Sequence, residues 1–191
     1  HLKGRAPERV ADFRGLNLRG PSRPATLLLE AMGANPIGMP VPAFPEALSR
    51  GVLDGGVITW EQAPSLKLDE LTDSHTDVAG DRSLYNLYFL WAMNRDVYEG
   101  LDPELRAVID ANSGAMASAW AGRAHDIGDA EGREVIVASG NQIAELSPEA
   151  TAEIKTLGAE VVADWIETMD RRGHDGAALV ADVRRMMAPE G

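Results

Sequence analysis

The 191 residues carry 30 acidic against 18 basic side chains, a formal charge of −12, with 45% hydrophobic residues and no cysteine. That apolar content can bury a core, while the acidic balance excludes a general nucleic-acid or anionic-membrane binder, which needs a basic face to displace counterions. Without cysteine there is no disulfide, thiolate nucleophile or cysteine-held metal.

The chain opens "HLKGRAPERV", without Met or a signal peptide, as a mature, trimmed or partial chain does. Residues 1–14 are basic and polar and read as an extended entry segment. "LNLR" (16–19) alternates as a strand and is broken by Gly20-Pro21. Ser22 can cap a helix over 23–32 with Leu27, Leu28, Ala31 and Met32 on one side, stopped by Gly33. "NPIGMPV" reads as a short strand among prolines, and "PEALSRG" (45–51) as a short helix. "VLDGGVIT" (52–59) reads as an apolar strand, and 65–71 as helical after Pro64. "SHTDVAGDRS" reads as a loop with room for one strand. The apolar and aromatic run "LYNLYFLWAMN" (84–94) reads as a strand buried on both faces.

Asp102, Pro103 and Glu104 open a helix by cap, first position and first turn. Leu105, Val108, Ile109, Met116 and Trp120 keep helical spacing, and no proline intervenes before Gly140. A single helix over 103–138 would span roughly 50 Å, enough to cross between lobes or join an oligomer, with Gly114, Gly122, Gly128 and Gly132 as places to kink. "NQIAEL" (141–146) reads as a strand, followed by helices over 148–171 and 175–187. Alternating strands and helices give an α/β protein.

The ordered motifs "DFRGLNLRGP", "EAMGANPIGMP", "ALSRGVLDG", "SLKLDEL", "LDPELRAVID" and "ELSPEA" resemble the solute-binding proteins of TRAP transporters, of the C4-dicarboxylate-binding type. The likeness runs from about residue 10 to the end. It implies a periplasmic-binding-protein-like (type II) bilobed fold with a long lobe-crossing helix, here with the N-terminal lobe incomplete. It divides the chain into an entry segment (1–15), a second-lobe α/β core (16–82), a strand returning to the first lobe (83–101), the lobe-spanning helix (102–140) and a C-terminal strand and helices packing on both lobes (141–191). It implies a periplasmic receptor that closes on a small organic acid and docks on integral-membrane subunits, without a cofactor or nucleic-acid partner. An incomplete lobe exposes apolar surface and invites self-association.

Arg19 matches the family's carboxylate-gripping arginine. A guanidinium gives a carboxylate two parallel charge-assisted hydrogen bonds, although on residues alone an arginine is more often a surface or ion-paired group. Gly20 and Ser22 would let backbone and hydroxyl groups approach a ligand. Ile58 stands where many members carry Asn, and is followed by Thr59, Trp60 and Glu61. Trp60 fits either a wall stacked on a flat ligand or a core tryptophan. Glu61 would repel a carboxylate unless it accepts a hydrogen bond, takes a proton or holds a cation. Tyr85, Leu87 and Phe89 share one face of the 84–94 segment, and Asn86, Tyr88 and Leu90 the other. Asn86 and Tyr88 are polar enough to touch ligand, and Phe44 can line the cleft; each has a core-packing alternative.

The four histidines show no metal spacing, Asp126 and Asp129 read as a solvated helix face, and no nucleophile elbow or phosphate loop occurs. Two other functions stay open on residues alone: a small α/β enzyme using Glu61 or Asp54 as base on an acidic substrate, and a sensory or scaffold domain reusing the fold.

Overall fold

The computed structural model describes residues 1–80 and 83–187. Strand β1 (Asn17–Gly20) is central to a parallel three-stranded sheet, between β2 (Asn35–Gly38) and β3 (Gly55–Gly56). The register sets Arg19 beside Ile37 on one side and Gly56 on the other. Helix α1 (Arg23–Ala31) connects β1 to β2, and Ser22 caps it by accepting a hydrogen bond from the Ala25 amide at 3.4 Å. Gly33, at φ +88°, turns the chain out of that helix, a conformation glycine takes without strain. Helix α2 (Phe44–Ser49) leads toward β3. The expected strand over 52–59 shrinks to two residues, because only Gly55 and Gly56 pair with β1. A 3-10 turn, Trp60–Gln62, follows, and the expected helix over 65–71 is reduced to α3 (Leu68–Leu71) because Lys67 is left-handed at φ 54°.

Strand β4 (Ser74–Asp77) realises the one strand expected in its loop. It pairs in parallel with β5 (Gln142–Glu145), with His75 opposite Ile143. Leu2 bridges antiparallel to both Gly55 and Ser74, so the entry segment clasps the two small sheets together. That segment is less polar in role than in composition: Leu2, Ala6, Val10 and Phe13 are buried.

The 84–94 run departs most from expectation. It forms no strand and is largely exposed, with Tyr88 at 81% and Trp91 at 96%. A ladder needs a neighbouring backbone and a doubly buried strand needs layers on both faces; among the described residues neither lies along this segment. After α4 (Arg95–Glu99), the expected single long helix is two, α5 (Pro103–Ala111) and α6 (Gly114–Ala138). At the break the Asn112 amide donates to the Val108 carbonyl and the Ser113 hydroxyl to the Ile109 carbonyl. Such local side-chain bonds compete with helix continuation, and Gly114 then takes φ +73°. With 25 residues, α6 is still about 37 Å long. Helices α7 (Pro148–Arg171) and α8 (Gly176–Met186) start on Ser147 and Asp175 caps.

Two apolar clusters support these elements. Leu18, Leu28, Leu29, Met32, Ala150 and Ile154 pack α1 and α7 against the three-stranded sheet. Phe44, Leu48, Leu53, Leu66, Leu68 and Ile136 join α2, α3 and α6 beneath the 60–62 turn.

Candidate functional site

Strand β1 ends in Leu18, Arg19 and Gly20, all buried. Parallel pairing on both sides holds the backbone of Arg19, so its side chain leaves the sheet at a fixed point. The guanidinium lies 5.7 Å over the Phe44 ring. Its Nε donates to the Met39 carbonyl at 3.2 Å and its Nη1 to the Val57 carbonyl at 2.8 Å. Arg19 is only 4% exposed and forms no ion pair among the described residues. A guanidinium carries five N–H donors, so the Nη2 group and one Nη1 hydrogen have no protein acceptor there. Burial lowers the pKa of Arg19, opposed by the nearby Tyr85. A buried cation without an anion is an expensive arrangement, and it opens onto space.

That space is a cleft of about 600 Å³. Arg19, Val57, Ile58 and Trp60 line it from the sheet side, Tyr85, Asn86, Leu87 and Phe89 from the 84–94 segment, and Gly122, His125, Asp126 and Asp129 from α6. Leu18, Leu29, Met32, Leu146 and Ile154 form an apolar floor.

The 60–62 turn is locked onto α6. The Glu61 amide donates to an Asp129 carboxylate oxygen at 2.9 Å. At Gly132 any side chain would overlap the Trp60 carbonyl, so that position must be glycine for the turn to lie so close. The Trp60 ring has the Arg133 guanidinium over it at 4.4 Å, and Arg133 is in turn paired with Asp77. His1 and His75 meet the same ring at 5.1 and 5.8 Å. His75 is buried, with Nδ1 2.6 Å from His1 Nδ1 and Nε2 3.3 Å from Asn141 Nδ2. Burial pushes its pKa down to about 4.

Glu61 is mostly buried, its side chain 15% exposed. One carboxylate oxygen accepts from the Thr59 hydroxyl at 2.5 Å, and the other from the Gln62 amide at 2.8 Å with His125 Nδ1 at 3.3 Å. Tyr85 sits in the field of both ends: burial raises its pKa, Arg19 lowers it, and Glu61 and Asp129 raise it further.

The expected site residues thus divide. Arg19, Thr59, Trp60, Glu61 and Asn86 line one cleft. Ser22 does not; its hydroxyl is spent on the cap of α1. Phe44 is fully buried beneath Arg19 and supports it rather than facing the cleft. Tyr88 points to the exposed side of its segment. Ile58, at the position of the family's Asn, lines the cleft as an apolar residue. Asp54, weighed as a base, instead accepts from the Asn17 amide at 2.8 Å and ties down the start of β1. Among the described residues no group of three metal-ligating side chains occurs.

Tyr85, Leu87, Phe89, His125, Asp126 and Asp129 line the cleft without having been expected among the ligand contacts. Two signals pointed to them. Tyr85, Leu87 and Phe89 alternate on one face of their segment. Gly122, His125, Asp126 and Asp129 recur at helical spacing on one stripe of α6, which faces the cleft rather than bulk solvent.

The sequence profile described as "DctP: Bacterial extracellular solute-binding protein, family 7" matches residues 4–168. Among solved structures, a marine metagenome TRAP solute-binding protein specific for aromatic acid ligands, in complex with metahydroxyphenylacetate, is 45% identical with a TM-score of 0.91, over 95% of this chain and 57% of its own. A TRAP solute-binding protein from Rhodoferax ferrireducens with copurified benzoate is 40% identical with a TM-score of 0.87, over 98% of this chain and 61% of its own. A third, from Bordetella bronchiseptica with bound (R)- and (S)-mandelate, is 27% identical with a TM-score of 0.80, over 96% of this chain and 58% of its own. The chain therefore spans well under two thirds of the length of the structures it matches, and over that span it shares their periplasmic-binding-protein fold. Among the described residues no helix is long and apolar enough to cross a membrane.

Proposed function

The chain belongs to the bacterial extracellular solute-binding proteins of family 7, and from that premise we propose that it is the ligand-recognising part of a periplasmic TRAP-type receptor for a small aromatic carboxylic acid. The observation that carries this reading is Arg19: a buried guanidinium at the end of β1, facing a cleft, with no carboxylate paired to it among the described residues. A ligand carboxylate supplies the missing anion and takes the hydrogens that Nη1 and Nη2 have free. In so dry a setting those charge-assisted bonds are poorly screened.

The rest of the lining favours an aromatic body. Trp60, Tyr85 and Phe89 offer ring surfaces, and Leu18, Leu29 and Ile58 an apolar floor and wall. Related receptors that carry benzoate, metahydroxyphenylacetate and mandelate support the same class. Thr59 and Asn86 add polar contacts beside the ring.

Function is binding with closure, not turnover. In this reading residues 16–82 form the core of one lobe, 83–101 return toward the other, 102–140 run between them, and 141–191 pack on both. Closing the lobes sequesters the acid and presents a surface to the membrane subunits of the importer. Calorimetry on the full-length protein with benzoate, mandelate and malonate tests the reading. Benzoate and mandelate are expected to bind and to be recovered unchanged by mass spectrometry. Absence of aromatic-acid binding, or chemical conversion of the acid, overturns it.

A further inference from the structure

The charge lining the cleft is lopsided. Among the described residues, Arg19 is its one arginine or lysine, against four carboxylates, Glu61, Asp77, Asp126 and Asp129. Asp77 is engaged by Arg133, and Asp129 accepts from the Glu61 amide. Glu61 is held hardest: Thr59, Gln62 and His125 surround its two oxygens, and α6 packs directly against its backbone. A carboxylate oxygen accepts about two hydrogen bonds. The oxygen that takes the Thr59 hydroxyl therefore keeps one acceptor position, on a group fixed at the edge of the cleft.

We infer that Glu61 determines ligand specificity: it accepts a hydrogen bond from a neutral donor on the ligand's body, such as a ring hydroxyl, and bars a second carboxylate from that end. This rests on the reading of Arg19 as the carboxylate anchor. The physical basis is an asymmetry between donors and anions. A hydroxyl brought to a held carboxylate forms a charge-assisted bond. A second carboxylate brought there meets a like charge in a poorly screened cleft, with no further guanidinium among the described lining residues to receive it. The ligand class that fits is an aromatic monocarboxylate with a hydrogen-bond donor on its ring, in preference to the unsubstituted acid and to a dicarboxylate of the same shape.

The geometry separates this role from that of the neighbours. His125 is half exposed, with Nδ1 3.3 Å from a Glu61 carboxylate oxygen. Thr59 already donates to Glu61, and Gln62 does the same through its amide. The Thr59 hydroxyl gives its one hydrogen to Glu61 and Gln62 gives one of its two amide hydrogens, so Glu61 is the acceptor this end of the cleft presents.

The test compares benzoate, 3-hydroxybenzoate and isophthalate by calorimetry on the full-length protein and on Glu61→Ala and Glu61→Gln. The wild-type protein is expected to bind 3-hydroxybenzoate about tenfold tighter than benzoate, the scale of a hydrogen bond to a charged group, and isophthalate more weakly than either. Glu61→Ala should bring the hydroxybenzoate-to-benzoate ratio to about one. Glu61→Gln, nearly isosteric and still an acceptor, should keep part of the hydroxyl preference and relieve the rejection of isophthalate. If Glu61→Ala fails to fold, as circular dichroism would reveal, the isophthalate result with Glu61→Gln decides. An unchanged hydroxybenzoate ratio in Glu61→Ala, or unchanged isophthalate rejection in Glu61→Gln, overturns the inference. A wild-type protein that binds benzoate with no hydroxyl preference overturns this inference alone, whereas one that binds no aromatic acid overturns the proposed function with it.

Discussion

Arg19 and Gly56 are register partners across β1 and β3, and the space a side chain at Gly56 would fill is taken by Arg19 and Phe44. A Cβ at position 56 would sit 2.7 Å from the Arg19 Cβ and 2.8 Å from the Phe44 ring. The arginine is therefore seated from three sides at once, by its own strand, the glycine beside it and the ring beneath it.

Removing the cation should separate stability from binding. Arg19→Met leaves a similar volume without a buried charge, and replacing buried charges with apolar groups is often neutral or stabilising. The melting temperature without ligand should hold or rise, while the shift produced by saturating benzoate disappears. Paired thermal melts check both. Arg19→Lys should not restore binding, because an ammonium lacks the planar pair of donors.

Gly56→Ala should destabilise the protein by about 1–3 kcal/mol through overpacking and weaken carboxylate binding as well, since the neighbour it displaces is Arg19. Denaturant titration and calorimetry on the same variant would show the two losses together. Loss of stability with full affinity would contradict this coupling.

Phe44 is wholly buried, so Phe44→Ala should cost about 3–5 kcal/mol. Leu at this position keeps the apolar fill but loses the ring under the guanidinium. It should recover most of the stability and less of the affinity, measured by the same two methods.

His75 gives a pH dependence with a definite sign. Its ordinary pKa of 6.5 falls to about 4 in the folded protein. Above pH 6.5 both folded and unfolded chains hold a neutral imidazole and no penalty arises. As pH falls from 6.5 toward 4 the unfolded chain binds a proton that the folded one does not, so stability falls across that window and levels below it. His75→Gln should flatten this part of the profile in melts taken from pH 8 to pH 4, relative to wild type.

How much of this was legible beforehand depends on whether the cause was local. Ser22 announced the start of α1 because a cap is a contact between neighbours in sequence. Arg19 was legible through its motif and its place after an alternating run. The 84–94 segment was misread because its composition states what it needs, not what lies beside it: apolar alternation cannot reveal whether a second backbone is present to pair with. The break at Asn112 and Ser113 was legible only in part, through Gly114 as one of four glycines where the helix could kink. Both residues are tolerated inside helices, and only the observed side-chain bonds to Val108 and Ile109 show which conformation won. Asp126 and Asp129 were assigned to solvent because charged stripes usually face it, and a cleft on that side is a tertiary fact.

The contact of α6 with the 60–62 turn limits how this cleft can be retuned. Trp60 and Glu61 are adjacent on a turn whose backbone rests on glycines of the helix, Gly132 under the Trp60 carbonyl and Gly128 under the Glu61 side chain. Enlarging either glycine would move the aromatic wall and the acceptor together, in one step and in one direction. Independent adjustment of ring shape and of polar selectivity is open only to side-chain exchange at 60 and 61. The helix acts as a fixed jig for the pair, so variation among related solute-binding proteins should accumulate in those two side chains while the small residues behind them stay small.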